Sequence, residues 1–325
     1  MFRTFVLTVA LLVCSFPLLG GTDPAAQQLL VSALQQASLF RGNPSPFQFD
    51  VDFVAQVNVP VQGHLTLEWQ AKDRWRRRIV MDEFEEVQVR NGDKLYTSRN
   101  LDFTPVRARQ LVSLLQFAER SEGLKAKRQK QRVENGIEII CFRVEGERRE
   151  EEHEVCASSS SHDILSDTWE EPPDGKRVEL FADYFDFDGR HYPRKLQLLV
   201  DGIKVLTANV VGLKGAAFDD TLVVVPKGAI ERRQCAGMTP PKAVKTPNPI
   251  YPKSASENRI QGDTTVAMTV LTDGSVTDIR LIGSSARSMD DATLQTLKGW
   301  RFKPAMCGTE PVVSDIEVVV SFRMY

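Results

Sequence analysis

The sequence predicts an α+β protein. We expect an N-terminal curved antiparallel sheet, a half-barrel with a few helices, followed by a small module of two helices and three strands. Long segments with apolar residues at every second position predict strands with one buried face. A proline-rich stretch interrupts them, and new helix and strand patterns follow it. A sheet with one apolar face must cover that face with helices or with a ligand.

The first predicted domain spans residues 22–225. Asp23-Pro24 is a helix-start signal, because aspartate caps the free N–H groups of a first turn and proline fits its first position. From Phe47 to Val59 the alternation is strict, which predicts a strand. Asn91-Gly92 predicts a tight hairpin turn. An apolar stripe predicts a second helix from Val106 to about Glu119.

The same alternation predicts further strands up to the end of this domain, joined in part by Asp-Gly hairpin turns. Their expected bounds are Ile137–Val144, Val178–Phe187, Tyr192–Val200, Ile203–Val211 and Leu222–Val225. Prolines then crowd residues 226–248 with almost no apolar periodicity, which predicts a linker or an extended arm. A compact module is expected over residues 249–325.

Composition is typical of a globular protein, and the length of the chain predicts two domains. It has 325 residues, of which 42% are hydrophobic and 26% charged. The net charge of −2 gives no general attraction to nucleic acid. A basic run over residues 125–132 lacks interleaved aromatic residues, so we interpret it as a solvated surface. No nucleic-acid partner is predicted.

Residues 1–21 are predicted to be a signal peptide. Arg3 precedes an apolar run from Phe5 to Leu19, and small residues end it. The run is about 15 residues long, shorter than the ~20 that span a bilayer as a helix. We therefore expect a periplasmic protein. The alternative is an uncleaved inner-membrane anchor with the rest of the chain facing the periplasm.

The cysteines predict disulfides. Once Cys14 is removed with the signal, an even number remains, which is typical of an exported protein with disulfides. Local pairing of Cys141 with Cys156 and of Cys235 with Cys307 is the simplest arrangement. Reduced, buried thiols are the alternative.

No pattern of catalytic residues is found, so the sequence does not predict an enzyme. His153-Glu154 has no second histidine at zinc-protease spacing, and no nucleophile elbow, phosphate loop or dinucleotide fingerprint occurs. Residues 158–163 contain the residue types of a catalytic triad, but consecutive residues do not adopt the relay geometry. No metal site and no cofactor are predicted.

The C-terminal module carries a series of short motifs. Pro249-Ile250-Tyr251-Pro252 opens it, Asp273-Gly274 forms a turn, and Trp300-Arg301-Phe302-Lys303-Pro304-Ala305 follows a predicted helix. In this order and spacing the module resembles the TonB C-terminal domain family. The resemblance implies that the last strand binds an extended peptide of an outer-membrane transporter, or another envelope partner, as an added strand. The implied partner-binding residues are Pro249, Tyr251, Pro252, Ile316, Val318 and Val320.

Two further expectations concern this module. TonB-like domains can exchange strands between copies, so a homodimer is an alternative. Energy transducers of the family couple to a proton-driven motor through a histidine in an N-terminal anchor, and no histidine precedes His64 in this chain. Motor coupling is therefore not predicted.

The first domain resembles the LolA/LolB-like lipoprotein carriers. The resemblance rests on the strand pattern, on the Asn91–Tyr96 turn and on Tyr184, Gly189 and Tyr192-Pro193 ahead of two long strands. It implies a sheet that cups a lipid, an acyl chain or another apolar ligand. The residues expected to face that ligand are Phe49, Phe53, Leu67 and Trp69, and a dry core is the alternative. The leading hypothesis is thus a TonB-like adaptor, and the alternative is a carrier docked by the TonB-like module.

Overall fold

The computed structural model describes residues 23–56, 59–101, 103–121, 123–134, 136–145, 152–171, 175–233, 237–284 and 286–324. The predicted signal peptide and Cys235 lie outside these ranges. No helix in the described ranges is both long and apolar enough to cross a membrane.

A thirteen-stranded antiparallel sheet forms most of the N-terminal domain. In chain order its strands are β1 (Phe47–Gln56), β2 (Pro60–Ala71), β3 (Arg74–Met81), β4 (Phe84–Asn91), β5 (Lys94–Arg99), β6 (Lys125–Glu134), β7 (Ile137–Glu145), β8 (Glu152–Ser158), β9 (Ile164–Glu171), β10 (Gly175–Phe187), β11 (Arg190–Val200), β12 (Ile203–Gly215) and β13 (Ile230–Arg233).

The sheet consists of two meanders that meet at its centre. Its spatial order is β13-β5-β4-β3-β2-β1-β12-β11-β10-β9-β8-β7-β6. Strand β1 pairs with β12 along most of its length, which joins the meander β1–β5 to the meander β6–β12. The open, mostly antiparallel sheet with helices confirms the predicted α+β class.

Three helices cover one face of this sheet: α1 (Pro24–Ala37), α2 (Val106–Leu115) and α3 (Phe117–Arg120). Asp23 caps α1 as predicted, since its carboxylate accepts hydrogen bonds from the backbone N–H groups of Ala25 and Ala26. Tyr192 on β11 is fully buried, and its hydroxyl donates to the carbonyl of Leu115, at 2.6 Å. That bond satisfies a carbonyl in the last turn of α2, where no intrahelical donor is available.

The alternation of β1 produces the covered face. Phe47, Phe49, Val51, Phe53 and Ala55 are each at most 2% exposed and belong to one apolar core with the helices. Burying side chains of this size stabilises a fold by about 1.5–3 kcal/mol each. The strand and its buried face are thus as the sequence predicts.

Two elements differ from the prediction. The second helix is divided at Gln116 into α2 and α3. The strand predicted at Leu222–Val225 is wrong, because Asp220–Val223 forms a 3-10 turn. The Asp219 carboxylate accepts from both the N–H and the hydroxyl of Thr221. Local hydrogen bonds of this kind satisfy the backbone and compete with strand formation.

The predicted pairing of Cys141 with Cys156 is formed. The two residues lie directly opposite each other on β7 and β8, with 4.0 Å between their Cα atoms. Cys307 is also disulfide-bonded. The carboxylate of Glu154 lies close to the first pair of sulfurs, but sulfurs bonded to each other are not thiolate ligands for a metal.

The C-terminal module contains two helices and a three-stranded antiparallel sheet. The sheet order is β16-β15-β20. Two short strand pairs, β14 with β17 and β18 with β19, accompany it. The bounds are β14 (Lys242–Lys245), α4 (Lys253–Glu257), β15 (Gly262–Val270), β16 (Val276–Gly283), α5 (Arg287–Leu297), β17 (Arg301–Lys303), β18 (Ala305–Cys307), β19 (Glu310–Val312) and β20 (Ser314–Phe322).

The Asp273-Gly274 turn and the motif of residues 300–305 stabilise each other. Gly274 has a φ of +79°, and its carbonyl accepts a hydrogen bond from the N–H of Phe302, at 2.9 Å. A Cβ at position 274 would lie 1.9 Å from the carbonyl oxygen of Phe302. Only glycine fits here, because the conformation is left-handed and the backbone of β17 lies against it.

We expect Gly274→Ala to destabilise the C-terminal module far more than Gly308→Ala. Gly308 also has a positive φ, +62°, but a Cβ there would meet nothing within 4 Å. Gly308→Ala therefore costs about 1–2 kcal/mol of backbone strain, whereas Gly274→Ala adds about 1–3 kcal/mol of overlap. Urea unfolding of the full chain measures the difference. Equal losses of stability in the two variants would contradict the close contact.

Candidate functional site

The C-terminal sheet has two edge strands, β16 and β20, and β20 is the edge that carries the predicted partner-binding residues. It pairs with β15 on one side and ends the sheet on the other in the part of the chain that the structure describes. Ile316 and Val318 pack against the module core, and Val320 is 9% exposed. The predicted partner-binding side chains of this strand therefore point inward. What the strand offers to a partner is its backbone, together with the outward Val319, which is 61% exposed.

The proline arm is tied to the module at two points. The Tyr251 hydroxyl donates to the carbonyl of Ile260, and its ring packs edge-on against Phe322 with 5.4 Å between centroids. The indole N–H of Trp300 donates to the carbonyl of Pro247, at 3.0 Å. These contacts place the arm beside the last residue of β20.

A cavity of about 620 Å³ lies in the N-terminal domain, between the sheet, the residues after α1, and α2 with α3. Three of the four residues expected to face a ligand line it: Phe49, Leu67 and Trp69. The remaining apolar lining consists of Phe40, Pro44, Leu65, Ala71, Trp75, Val112 and Leu115.

Phe53 is not part of the cavity lining. It is 2% exposed, and its ring lies over Gly63 on β2, where a Cβ would be 2.2 Å from the ring carbon Cζ. The absence of a side chain at Gly63 leaves room for the ring, so Phe53 fills the core itself. Sequence alternation gives the same signal for Phe49 and Phe53 and does not distinguish them.

Arg77 lines the cavity, although the sequence-based prediction did not include it among the ligand-facing residues. It lies directly opposite Leu67 in the register of β2 and β3, so both face the covered side of the sheet. Its side chain is only 14% exposed, and burial lowers its pKa. One guanidinium nitrogen donates to Oε1 of Gln88, at 2.6 Å, while the Glu86 carboxylate is 3.8 Å away. The sequence signal that could have indicated Arg77 is a charged residue at an inward position of an otherwise apolar strand face.

Among the described residues that line the cavity, Glu119 near the end of α3 is the only one with a carboxylate. Its Oε1 accepts from the hydroxyl of Ser38, at 2.5 Å, and from the N–H of Phe40, at 3.3 Å. Burial raises its pKa, which the hydrogen bonds from Ser38 and Phe40 partly offset. Arg41, Lys72 and Arg77 are also in the lining, so the cavity carries an excess of positive charge.

The segment predicted as a linker connects the two folded parts. Its residues Ile230–Arg233 form β13, which extends the large sheet by pairing with β5. Arg232 then reaches the C-terminal module, where it donates to the hydroxyl of Thr269, at 3.1 Å, and lies 3.4 Å from Asp315 at the start of β20. Arg233 pairs with Glu310 at 2.6 Å.

Asp278 on β16 forms the buried part of this contact. It is 8% exposed and accepts a hydrogen bond from the N–H of Thr104, at 3.4 Å. Arg99 of the N-terminal domain and Arg280 of the module each lie 3.7 Å from its carboxylate. One carboxylate thus balances two arginines at the junction.

The serine-rich loop of residues 158–163 does not form a relay. The Ser161 hydroxyl donates to Asp163, at 2.7 Å, and His191 Nδ1 lies 2.5 Å from the same carboxylate. The aspartate lies between the serine and the histidine, whereas a nucleophilic serine needs the imidazole beside it.

The C-terminal module is similar to known proteins in sequence. Residues 247–324 match the family model of the Gram-negative bacterial TonB protein C-terminal. Protein TonB of Klebsiella aerogenes is 34% identical over 70 residues, which are 21% of this chain and 29% of that protein. The chain therefore spans less than a third of the relative's length, and the TonB similarity concerns the C-terminal module.

Solved structures resemble both parts of the chain. The solution structure of the Pseudomonas aeruginosa TonB C-terminal domain is 26% identical, with 27% of this chain and 96% of that chain covered and a TM-score of 0.24. A LolA superfamily protein from Nitrosomonas europaea is 10% identical, with 63% of this chain and 98% of that chain covered and a TM-score of 0.44.

We expect Asp278→Asn to loosen the contact between the two parts of the chain. Asparagine keeps the shape and tolerates the φ of +50° at this position. It removes the charge that faces Arg99 and Arg280, whose side chains are 7% and 24% exposed. Loss of one partner of a buried charge pair typically costs about 2–5 kcal/mol. Hydrogen exchange of β5 and β13 should accelerate, as measured by mass spectrometry. Asp291→Asn, on the exposed face of α5, is the control, and equal protection in both variants would contradict the role of Asp278.

Proposed function

We propose that this protein is an exported envelope adaptor whose TonB-like module binds a partner by β-strand addition along β20. The observation that carries the proposal is the free edge of β20 in a module that matches the TonB C-terminal family. Unpaired N–H and C=O groups on a sheet edge accept an extended peptide, and main-chain hydrogen bonds provide the affinity. The partner is an extended segment of an outer-membrane transporter or of another envelope protein.

The periplasm is the compartment that fits this function. The sequence of residues 1–21 is typical of a secretory signal. The disulfide between β7 and β8 requires an oxidising compartment to form and persist. Domain boundaries near residues 225 and 249 would leave β13 and β14 as the structured parts of the connection.

The cavity supports a second function, that of a carrier of an apolar ligand. Its volume of about 620 Å³ lies within the range of about 300–1,000 Å³ that is usual for small-molecule sites. Three aromatic side chains from different strands face it: Phe49, Trp69 and Trp75. In this function the TonB-like module docks the carrier to its partner.

We expect proline substitutions at Val318 and Val319 to separate folding from partner binding. The N–H groups of consecutive strand residues point to opposite sides, so one substitution removes a donor to β15 and the other removes a donor at the open edge. The substitution that removes a donor to β15 should lower the melting temperature of the module. The substitution that removes a donor at the open edge should leave the melting temperature nearly unchanged and abolish strand addition.

Photo-crosslinking in intact cells provides the binding readout. A photoreactive residue at Glu317, an exposed residue of β20 two positions before Val319, should form adducts with an extended segment of an outer-membrane protein. The edge-facing proline variant should lose these adducts. The matched position is Asp291 on α5, away from the edge. Adducts of the same kind at Asp291, or adducts that survive both prolines, would contradict strand addition.

A further inference from the structure

The buried guanidinium of Arg77 is incompletely paired. Nε has no hydrogen-bond partner among the described residues. The nearest acid, Glu86, is at 3.8 Å, and the short contact of 2.6 Å is to the neutral amide of Gln88. Glu86 is itself engaged, because it accepts from the hydroxyl of Thr104, at 2.6 Å. Buried charges in proteins are normally paired and hydrogen-bonded, since removing a charge from water is costly.

A second buried donor near the cavity also lacks a hydrogen-bond acceptor. The indole N–H of Trp69 is buried without an acceptor in the described part of the chain, and Trp69 is 7% exposed. Trp69 and Trp75 are cross-strand partners, two residues along the strands from the pair of Leu67 and Arg77 and on the same face. The unpaired indole donor and the under-compensated guanidinium therefore belong to neighbouring positions on one face of β2 and β3, and both residues line the cavity.

We propose that the cavity binds an anionic amphiphile, whose carboxylate or phosphate is held by Arg77 and Trp69 while its chain lies against the apolar lining. This inference rests on the carrier function proposed above and names its ligand class. An anionic oxygen supplies the acceptor that both donors lack once the two side chains turn these buried atoms toward the cavity. Hydrogen bonds with a charged partner are roughly twice as strong as neutral ones, and more so out of water.

The charge of the lining favours an anion over a cation or a neutral lipid. Arg41, Lys72 and Arg77 outnumber Glu119, whose Oε1 is occupied by Ser38 and Phe40. A cationic head would face this excess of positive charge. A neutral head, such as an alcohol, would leave the guanidinium with no charged partner nearer than Glu86, at 3.8 Å.

The test compares tetradecanoate, tetradecyl phosphate and tetradecan-1-ol, which share one chain length and differ in the head. The delipidated full-length protein is titrated with each radiolabelled probe in equilibrium dialysis. We expect the two anions to bind at least about tenfold more tightly than the alcohol. The relative affinities of the two anions separate a fatty acid from a phosphate-bearing lipid as the source of the head group.

Arg77→Met and Arg78→Met form the matched pair of variants. Arg78 is the next residue of β3, points to the opposite face and is half-exposed beside Glu85. Arg77→Met should abolish the preference for the anions and leave the alcohol affinity unchanged. Arg78→Met should change neither. Circular dichroism melting verifies folding, and the wild-type comparison of the three probes remains decisive if Arg77→Met does not fold.

Three outcomes would overturn the inference. If all three probes bind with equal affinity, the cavity binds apolar ligands but has no anion site. The carrier function then remains supported, and the anion inference fails. A preference for anions that Arg77→Met leaves intact would place the anion elsewhere. If none of the probes binds, the carrier function fails together with the inference.

Discussion

One constraint organises the N-terminal domain: a long antiparallel sheet with one apolar face must shield that face from water. Helices α1, α2 and α3 shield part of it, and their buried residues merge with those of β1 into one core. The helices leave a cavity beside Trp69 and Trp75. The same requirement that folds the domain therefore also creates its candidate binding site, because surface left uncovered by helices must meet solvent or a ligand.

The edge strands of the two sheets differ in whether another element covers or pairs with them. At one end of the large sheet, Ala126 on β6 is bound to the start of α1 through Asp23 and Gln27. At the other end, β13 pairs with β5 and thereby anchors the C-terminal module. The C-terminal sheet has two edge strands, β16 and β20, and β20 is the one beside the proline arm. Unpaired edges invite association, and the proline arm beside the end of β20 favours this edge over β16 for a partner.

Buried polar contacts run from the cavity to the junction of the two parts. Arg77 lies beside Glu86, Glu86 accepts from the hydroxyl of Thr104, and the N–H of Thr104 donates to Asp278 of the C-terminal module. The side chain of Glu86 is 3% exposed, so water screens these interactions little. A continuous series of contacts thus connects Arg77 in the cavity to Asp278 in the C-terminal module.

The sequence by itself determined the local features, because these depend on nearby residues. Alternation revealed the strands and their buried faces, Asp23 marked the start of α1, and the motifs from Pro249 to Ala305 identified the TonB-like module. Only the tertiary structure decided what each buried face touches. It placed Phe49 in the cavity and Phe53 in the core, left Arg77 without a full partner, and turned part of the linker into β13. These outcomes depend on contacts between residues distant in the chain, which periodicity does not encode.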